Sequence, residues 1–221
     1  MITVHHLNNS RSQRVLWLLE ELGVPYRVQR YERDARTMLA PPELLKVHPL
    51  GKSPVITDGD LTLAESGAIL ETLIERHGQG RLKPEAGTPE ALRYRYWMHF
   101  AEGSAMPPLL MKLVFDRIAA KSPLLVRPVA AAIAGKAKAM IVTPNLQRHL
   151  AYMEAELGKS TWFAGNDFTA ADIQMSFPVE ASAARAGLDA KYPRLQSYLQ
   201  RIHERPAYQR ALQQGGPFTL G

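Results

Sequence analysis

The chain has 221 residues, 46% of them hydrophobic, a formal charge of +6 and no cysteine. That length can bury one core or two small ones, and without cysteine there are no disulfides, thiolate metal sites or cysteine nucleophiles, so any thiol chemistry must use a substrate's sulfur. No apolar run approaches a membrane span and no secretory signal opens the chain, so a cytoplasmic enzyme or binder is expected; acids alternate with the basic residues and no recognition module is present, which argues against nucleic acid.

Residues 2–7 alternate and are rich in β-branched types, which predicts a strand, with Asn8 to Ser10 as the turn after it. From 12 to 22, Val15, Leu18, Leu19 and Leu22 fall at helical spacing and Gly23 stands where a left-handed cap belongs. A second strand is expected over 25–31 and a short helix over 41–46, its prolines in the first turn, where a missing NH costs little. Two short apolar runs, 54–57 and 61–64, flank Asp58-Gly59 and predict a β-hairpin, followed by a helix over 68–77. A βαβ half and a ββα half make a small mixed sheet flanked by helices.

Residues 79–88 are rich in glycine and proline and mark the domain boundary, dividing 1–78 from 89–221. Thr88-Pro89-Glu90 predicts a capped helix start. Leu92, Tyr96, Trp97 and Phe100 mark that helix, Pro107-Pro108 should interrupt or bend it, and Pro144 should end or bend a later one. Phe168-Thr169-Ala170-Ala171-Asp172-Ile173 predicts a capping box, with Thr169 and Asp172 satisfying each other's backbone, a hydrophobic staple from Phe168 to Ile173, and a helix from Ala170. Helices are also expected from about 193 to 202 and from Pro206.

Other patterns carry less. Asn8-Asn9-Ser10 matches a glycosylation sequon but lacks a secretory route. Gly51-Lys52-Ser53 imitates the end of a phosphate loop, yet Lys46 occupies the place of its first glycine and a strand follows where a helix is required. His5 and His6 point to opposite faces of a strand, so no metal is expected. Residues 112–145 hold Arg117, Lys121, Arg127, Lys136 and Lys138 against Asp116, and read as a solvated basic face or a draw for anionic ligands.

Taken together, the order and spacing of Asn9-Ser10-Arg11-Ser12-Gln13-Arg14, Lys52-Ser53-Pro54-Val55, Glu65-Ser66 and the capping box resemble the cytosolic glutathione transferase superfamily, nearest to serine-type members of the bacterial, fungal, theta, zeta and delta groups. The resemblance implies an α/β thioredoxin-like N-terminal domain, an all-α C-terminal domain and a homodimer. It implies a cis bond before Pro54 that turns the backbone of Ser53 toward the cysteinyl part of glutathione. Glu65 would take the ammonium of glutathione, Ser66 its γ-glutamyl carboxylate at a helix start, and Lys52 its glycyl carboxylate. Ser10 would donate a hydrogen bond to the thiolate, with Asn9 as the alternative donor if the turn shifts register. The second-substrate pocket would draw on Met98, Glu102, Met106, Leu110 and Met111, residues that core or dimer packing would equally explain.

Glutathione is thus the expected co-substrate, with a small electrophile or peroxide as partner. A glutathione-dependent isomerase or reductive lyase, or a non-catalytic binding protein of this fold, is the alternative.

Overall fold

The computed structural model describes residues 1–220. Strand β1 (Ile2–Leu7), helix α1 (Ser12–Leu22) and strand β2 (Tyr26–Tyr31) come first. The two strands pair in parallel from Ile2↔Tyr26 to Leu7↔Tyr31, an arrangement that requires the crossover α1 supplies. Gly23, at φ 69°, ends α1 by donating its NH to the Leu19 carbonyl. After the short α2 (Glu43–Val47), β3 (Val55–Asp58) and β4 (Leu61–Ala64) form the hairpin, and the sheet order is β2-β1-β3-β4 with β3 antiparallel to β1. Asp58 still pairs with Leu61, so the turn falls on Gly59 and Asp60, one residue beyond the expected Asp58-Gly59. Gly59 supplies the positive φ of 59° that the tight turn needs. Helix α3 (Ser66–His77) begins two residues earlier than its apolar pattern.

Helix α1 has a continuous apolar run, Val15 to Leu19, because its middle is covered on all sides. Val15, Leu16, Trp17, Leu18 and Leu19 are fully buried between the sheet, α3 and two helices from the far end of the chain, α8 (Ala170–Arg185) and α10 (Pro206–Gly215). The main core therefore runs without a break from Val4 and Trp17 through Leu70 to Trp97, Phe163, Ile173 and Tyr198.

The helical half opens with α4 (Pro89–Phe100), whose N-cap Thr88 accepts a hydrogen bond from the Ala91 NH at 3.2 Å. Its buried face holds Tyr94, Trp97 and Met98, while Leu92 and Tyr96 stay exposed, so the expected apolar stripe is rotated. Neither Pro107-Pro108 nor Pro144 breaks its helix. A π-turn at Ala101–Ala105 precedes α5 (Met106–Lys121), and another at Lys138–Val142 joins α6 (Arg127–Ala137) to α7 (Thr143–Glu156). Each widened turn closes with an i→i−5 bond, Met106 NH to Ala101 and Thr143 NH to Lys138, which leaves the prolines in a first turn that needs no donor from them.

The capping box is present and wholly buried. Thr169 NH donates to Asp172 Oδ2 at 2.9 Å, and Asp172 Oδ1 accepts from the Phe163 NH at 2.9 Å. Phe168 lies against the rings of Trp17 and Trp162, with the Arg205 guanidinium 3.7 Å from its ring centroid. Helix α9 (Pro193–His203) closes over this corner, its Tyr198 hydroxyl donating to the Asp172 carbonyl at 2.6 Å. Among the described residues, no helix is long and apolar enough to cross a membrane.

Candidate functional site

Sheet register brings the separated motifs together. Because His5 pairs with Val55 and Val55 with Ala64, Ser53 lies beside the end of β1, and Pro54 lies across from Glu65. The Ser53-Pro54 peptide is cis. The Ser53 hydroxyl donates to the His5 carbonyl at 2.8 Å and accepts from the Leu7 NH at 3.3 Å, which fixes the side chain to β1. Its backbone NH and C=O have no backbone partner among the described residues, so a peptide-like ligand can pair with this edge.

Glu65 is exposed and held at φ 73°, a conformation uncommon outside glycine that concentrates at ligand-binding positions. It precedes α3 without capping it, and no acid occupies the first turn. The NH groups around the buried Ser66 are thus available to a carboxylate, with the helix dipole in its favour. Lys52 is exposed and makes no ion pair among the described residues, leaving its ammonium free for a second carboxylate.

Across from this edge, the Asn9–Ser10 turn has a defined pattern of donors and acceptors. Asn9, at φ 49°, accepts the Thr219 NH on Oδ1 at 2.8 Å, which leaves its amide NH2 without a partner among the described residues. Ser10 is 4% exposed. Its oxygen accepts the Ser12 NH at 3.3 Å and lies 2.7 Å from the Ser12 hydroxyl, which is 2.8 Å from His6 Nδ1. Burial, then the charge of Arg30, pushes His6 down to about 4 against an opposing hydrogen bond to the Gly215 backbone. The Ser12 hydroxyl also lies 3.4 Å from the Leu7 carbonyl, so Ser10, Ser12 and His6 form one buried side-chain network at the end of β1. No motif in the sequence points to Ser12 or His6 as site residues, although the strand alternation that separates His5 from His6 places one of the two on the α1 side.

Glu102, in the first π-turn, accepts Arg14 Nη1 at 2.5 Å and Arg11 Nε at 2.9 Å, joining α1 to the helical half. Burial raises the Glu102 carboxyl, but the two guanidinium groups outweigh that and hold it below its ordinary value. Both arginines lie over the Phe177 ring, at 5.1 and 5.2 Å. Met106 is buried in the cluster that contains Phe177, Leu109 and Leu220. The other pocket candidates scatter: Met98 is inside the main core, and Leu110 and Met111 are exposed. Met111 lines a cavity of about 300 Å³ with Pro107, Pro108 and His149. A further cavity, of about 490 Å³, lies between the linker and residues 164–169 and shares no residue with the ligand-binding edge.

A four-stranded thioredoxin-like unit with a free backbone edge at a cis-proline, an open helix start and a helical domain closing over α1 defines the class of two-domain proteins that bind glutathione. The comparisons agree. The family described as "Glutathione S-transferase, N-terminal domain" matches residues 1–74, and "Glutathione S-transferase, C-terminal domain" matches 110–206. The chain belongs to the glutathione S-transferase family.

It is 39% identical over 209 residues to glutathione S-transferase 3 of Schizosaccharomyces pombe, covering 94% of this chain and 85% of that one. It is 30% identical over 217 residues to glutathione S-transferase 1 of Saccharomyces cerevisiae, covering 94% and 92%. A crystal structure of a glutathione S-transferase from Actinobacillus pleuropneumoniae superposes with a TM-score of 0.81 at 32% identity, covering 99% of this chain and 94% of that one. A sphingomonad glutathione S-transferase complexed with glutathione superposes at 0.73 and 25% identity, covering 97% and 98%. The chain is accordingly a glutathione transferase.

Proposed function

We propose that this transferase binds glutathione along the Ser53 edge and activates its sulfur at the Asn9–Ser10 turn, for attack on a small electrophile or peroxide. Ser53 pairs with the cysteinyl backbone, Glu65 takes the ammonium, Ser66 and the α3 start take the γ-glutamyl carboxylate, and Lys52 takes the glycyl carboxylate. A free thiol is only about 3% thiolate at pH 7, so the enzyme must favour the anion. Donors at the start of α1 do so by hydrogen bonding to the charged form.

The observation that carries this reading is the free Asn9 amide beside a buried Ser10 hydroxyl that lies 2.7 Å from the Ser12 hydroxyl. It favours Asn9 as the direct donor to sulfur and Ser10 as the group that fixes the turn, a departure from the serine-type pattern to which the sequence is nearest. The boundary at residues 79–88, a cytoplasmic location and a homodimer complete the proposal.

The thiolate absorbance of bound glutathione, titrated against pH in wild type, Asn9→Ala and Ser10→Ala, tests it. Asn9→Ala should move the bound thiol toward the free value of about 8.5 more than Ser10→Ala does. The reverse order would return the donor role to Ser10.

A further inference from the structure

Five arginines converge beside the Asn9–Ser10 turn. Arg11 follows Ser10 directly. Arg33 holds the Asn8 carbonyl at 3.2 Å and the Met38 carbonyl at 3.1 Å. Arg185 of α8 donates from Nε to the Leu220 carbonyl at 2.8 Å, one residue from the Thr219 whose NH holds Asn9. Arg117 of α5 stands one helical turn before Lys121, whose ammonium is 3.5 Å from the Arg36 carbonyl, so this end of α5 lies over the loop after β2. The fifth, Arg14, is 1% exposed, with Nε and Nη2 buried and unpartnered.

Acids do not balance these charges. Glu102 pairs with Arg11 and Arg14, and none of Arg33, Arg117 or Arg185 is in an ion pair among the described residues. Burial lowers both Arg33 and Arg185, and the charges of Arg117 and Arg11 lower each of them further, so the group repels itself in the free chain. A bound anion relieves that repulsion. Beneath the rim, Phe177 carries Arg11 and Arg14 on its face and lies 6.0 Å from the Phe218 ring, an aromatic floor under a cationic edge.

We propose that Arg11, Arg33, Arg117 and Arg185 form an oxyanion subsite that selects acceptors carrying a carboxylate, sulfonate or phosphate beside an apolar reacting centre. The inference deepens the transferase reading and rests on it. With a chloronitroarene as acceptor, the glutathione thiol gives its proton to solvent and its sulfur forms a bond to the ring carbon. The carbon–chlorine bond then breaks and chloride leaves with the bonding pair. The arginines take no part in that exchange; they fix the end of the acceptor remote from it.

Steady-state kinetics with 4-chloro-3,5-dinitrobenzoate and its carboxamide test the subsite, each kcat/KM being divided by the acceptor's uncatalysed rate with glutathione. Wild type should prefer the carboxylate by about tenfold, the scale of one hydrogen-bonded charge pair. Arg117→Gln and Arg185→Gln should each lower that preference at least threefold, and added salt should erode it. Equal treatment of the two acceptors by wild type would overturn the proposal. So would variants whose loss falls on the KM for glutathione, because the cluster would then be reading the co-substrate's own carboxylates.

Calorimetric binding of the two preformed glutathione conjugates separates this subsite from the transferase reading. Tighter binding of the carboxylate conjugate upholds the subsite even if neither acceptor turns over, a result that would instead count against conjugation. Equal binding of the two conjugates would overturn the subsite.

Discussion

His6 and Asp172 are both buried, and burial moves them in opposite electrostatic directions. His6 falls to about 4, through burial and then Arg30, so the folded chain binds fewer protons there than the unfolded chain between about pH 4 and 6.5. That stability is present above 6.5 and is lost as pH falls toward 4. Asp172 is pushed up to about 6 by burial, partly offset by its hydrogen bonds from Phe163 and Thr169, so its contribution runs the other way, growing as pH falls from about 6 to 4. Each shift corresponds to about 3 kcal/mol, and in wild type they largely cancel. Replacing one should expose the other. Urea unfolding at pH 4.5 and 6.5 should show His6→Asn gaining stability relative to wild type on acidification and Asp172→Asn losing it. Parallel pH profiles for all three proteins would show that neither group is charged or neutral as the structure requires.

Among the elements, α8 depends most on a single side chain. Asp172 satisfies the NH groups of Thr169 and Phe163 inside the protein, and α8 in turn packs against α1, α4 and α9. Asp172→Ala leaves two buried donors without partners, at about 1 to 3 kcal/mol each, so a loss of about 2 to 6 kcal/mol is expected in chemical denaturation. Thr169→Val removes one capping acceptor and should cost only about 0.5 to 2 kcal/mol. A loss at Thr169 equal to that at Asp172 would mean that the cap, and not the link to Phe163, holds the corner.

This box was legible in the sequence because it is local: four consecutive residues carry its donors and acceptors. The βαβ and hairpin units were legible for the same reason, through period, Gly23 and the Asp-Gly pair. Pro107, Pro108 and Pro144 were not, since a π-turn depends on carbonyls five residues back and leaves no residue signature. The Ser10–Ser12–His6 network was hidden too, because it joins the start of α1 to a strand residue through side chains alone. The arginine cluster likewise draws on residues from 11 to 185; Arg117 stood out as part of a basic stretch and Arg11 and Arg14 as part of the motif after β1, but nothing local joins them to Arg33 and Arg185.

At the scale of the whole molecule, α4 presents an apolar face that the single chain leaves open. Leu92 and Tyr96, one helical turn apart, are 68% and 45% exposed. They line a concavity of about 470 Å³ with Arg95, His99 and Phe100. Tyr96 packs from behind, stacked on Phe100 at 5.6 Å and edge-on to Trp97 at 5.1 Å. An apolar projection beside a hollow suits a self-complementary contact about a two-fold axis. In such a contact every substitution is present twice. Burying one leucine contributes about 1.5 to 3 kcal/mol, so Leu92→Glu should cost a dimer on the order of 5 kcal/mol, a several-thousand-fold weaker association. Sedimentation equilibrium should find wild type as a dimer and both Leu92→Glu and Tyr96→Glu as monomers at micromolar concentration. Leu125→Glu, at a leucine 96% exposed between α5 and α6, should stay dimeric. A wild-type monomer, or a dimer dissociated by Leu125→Glu and not by the two α4 variants, would move the contact away from α4.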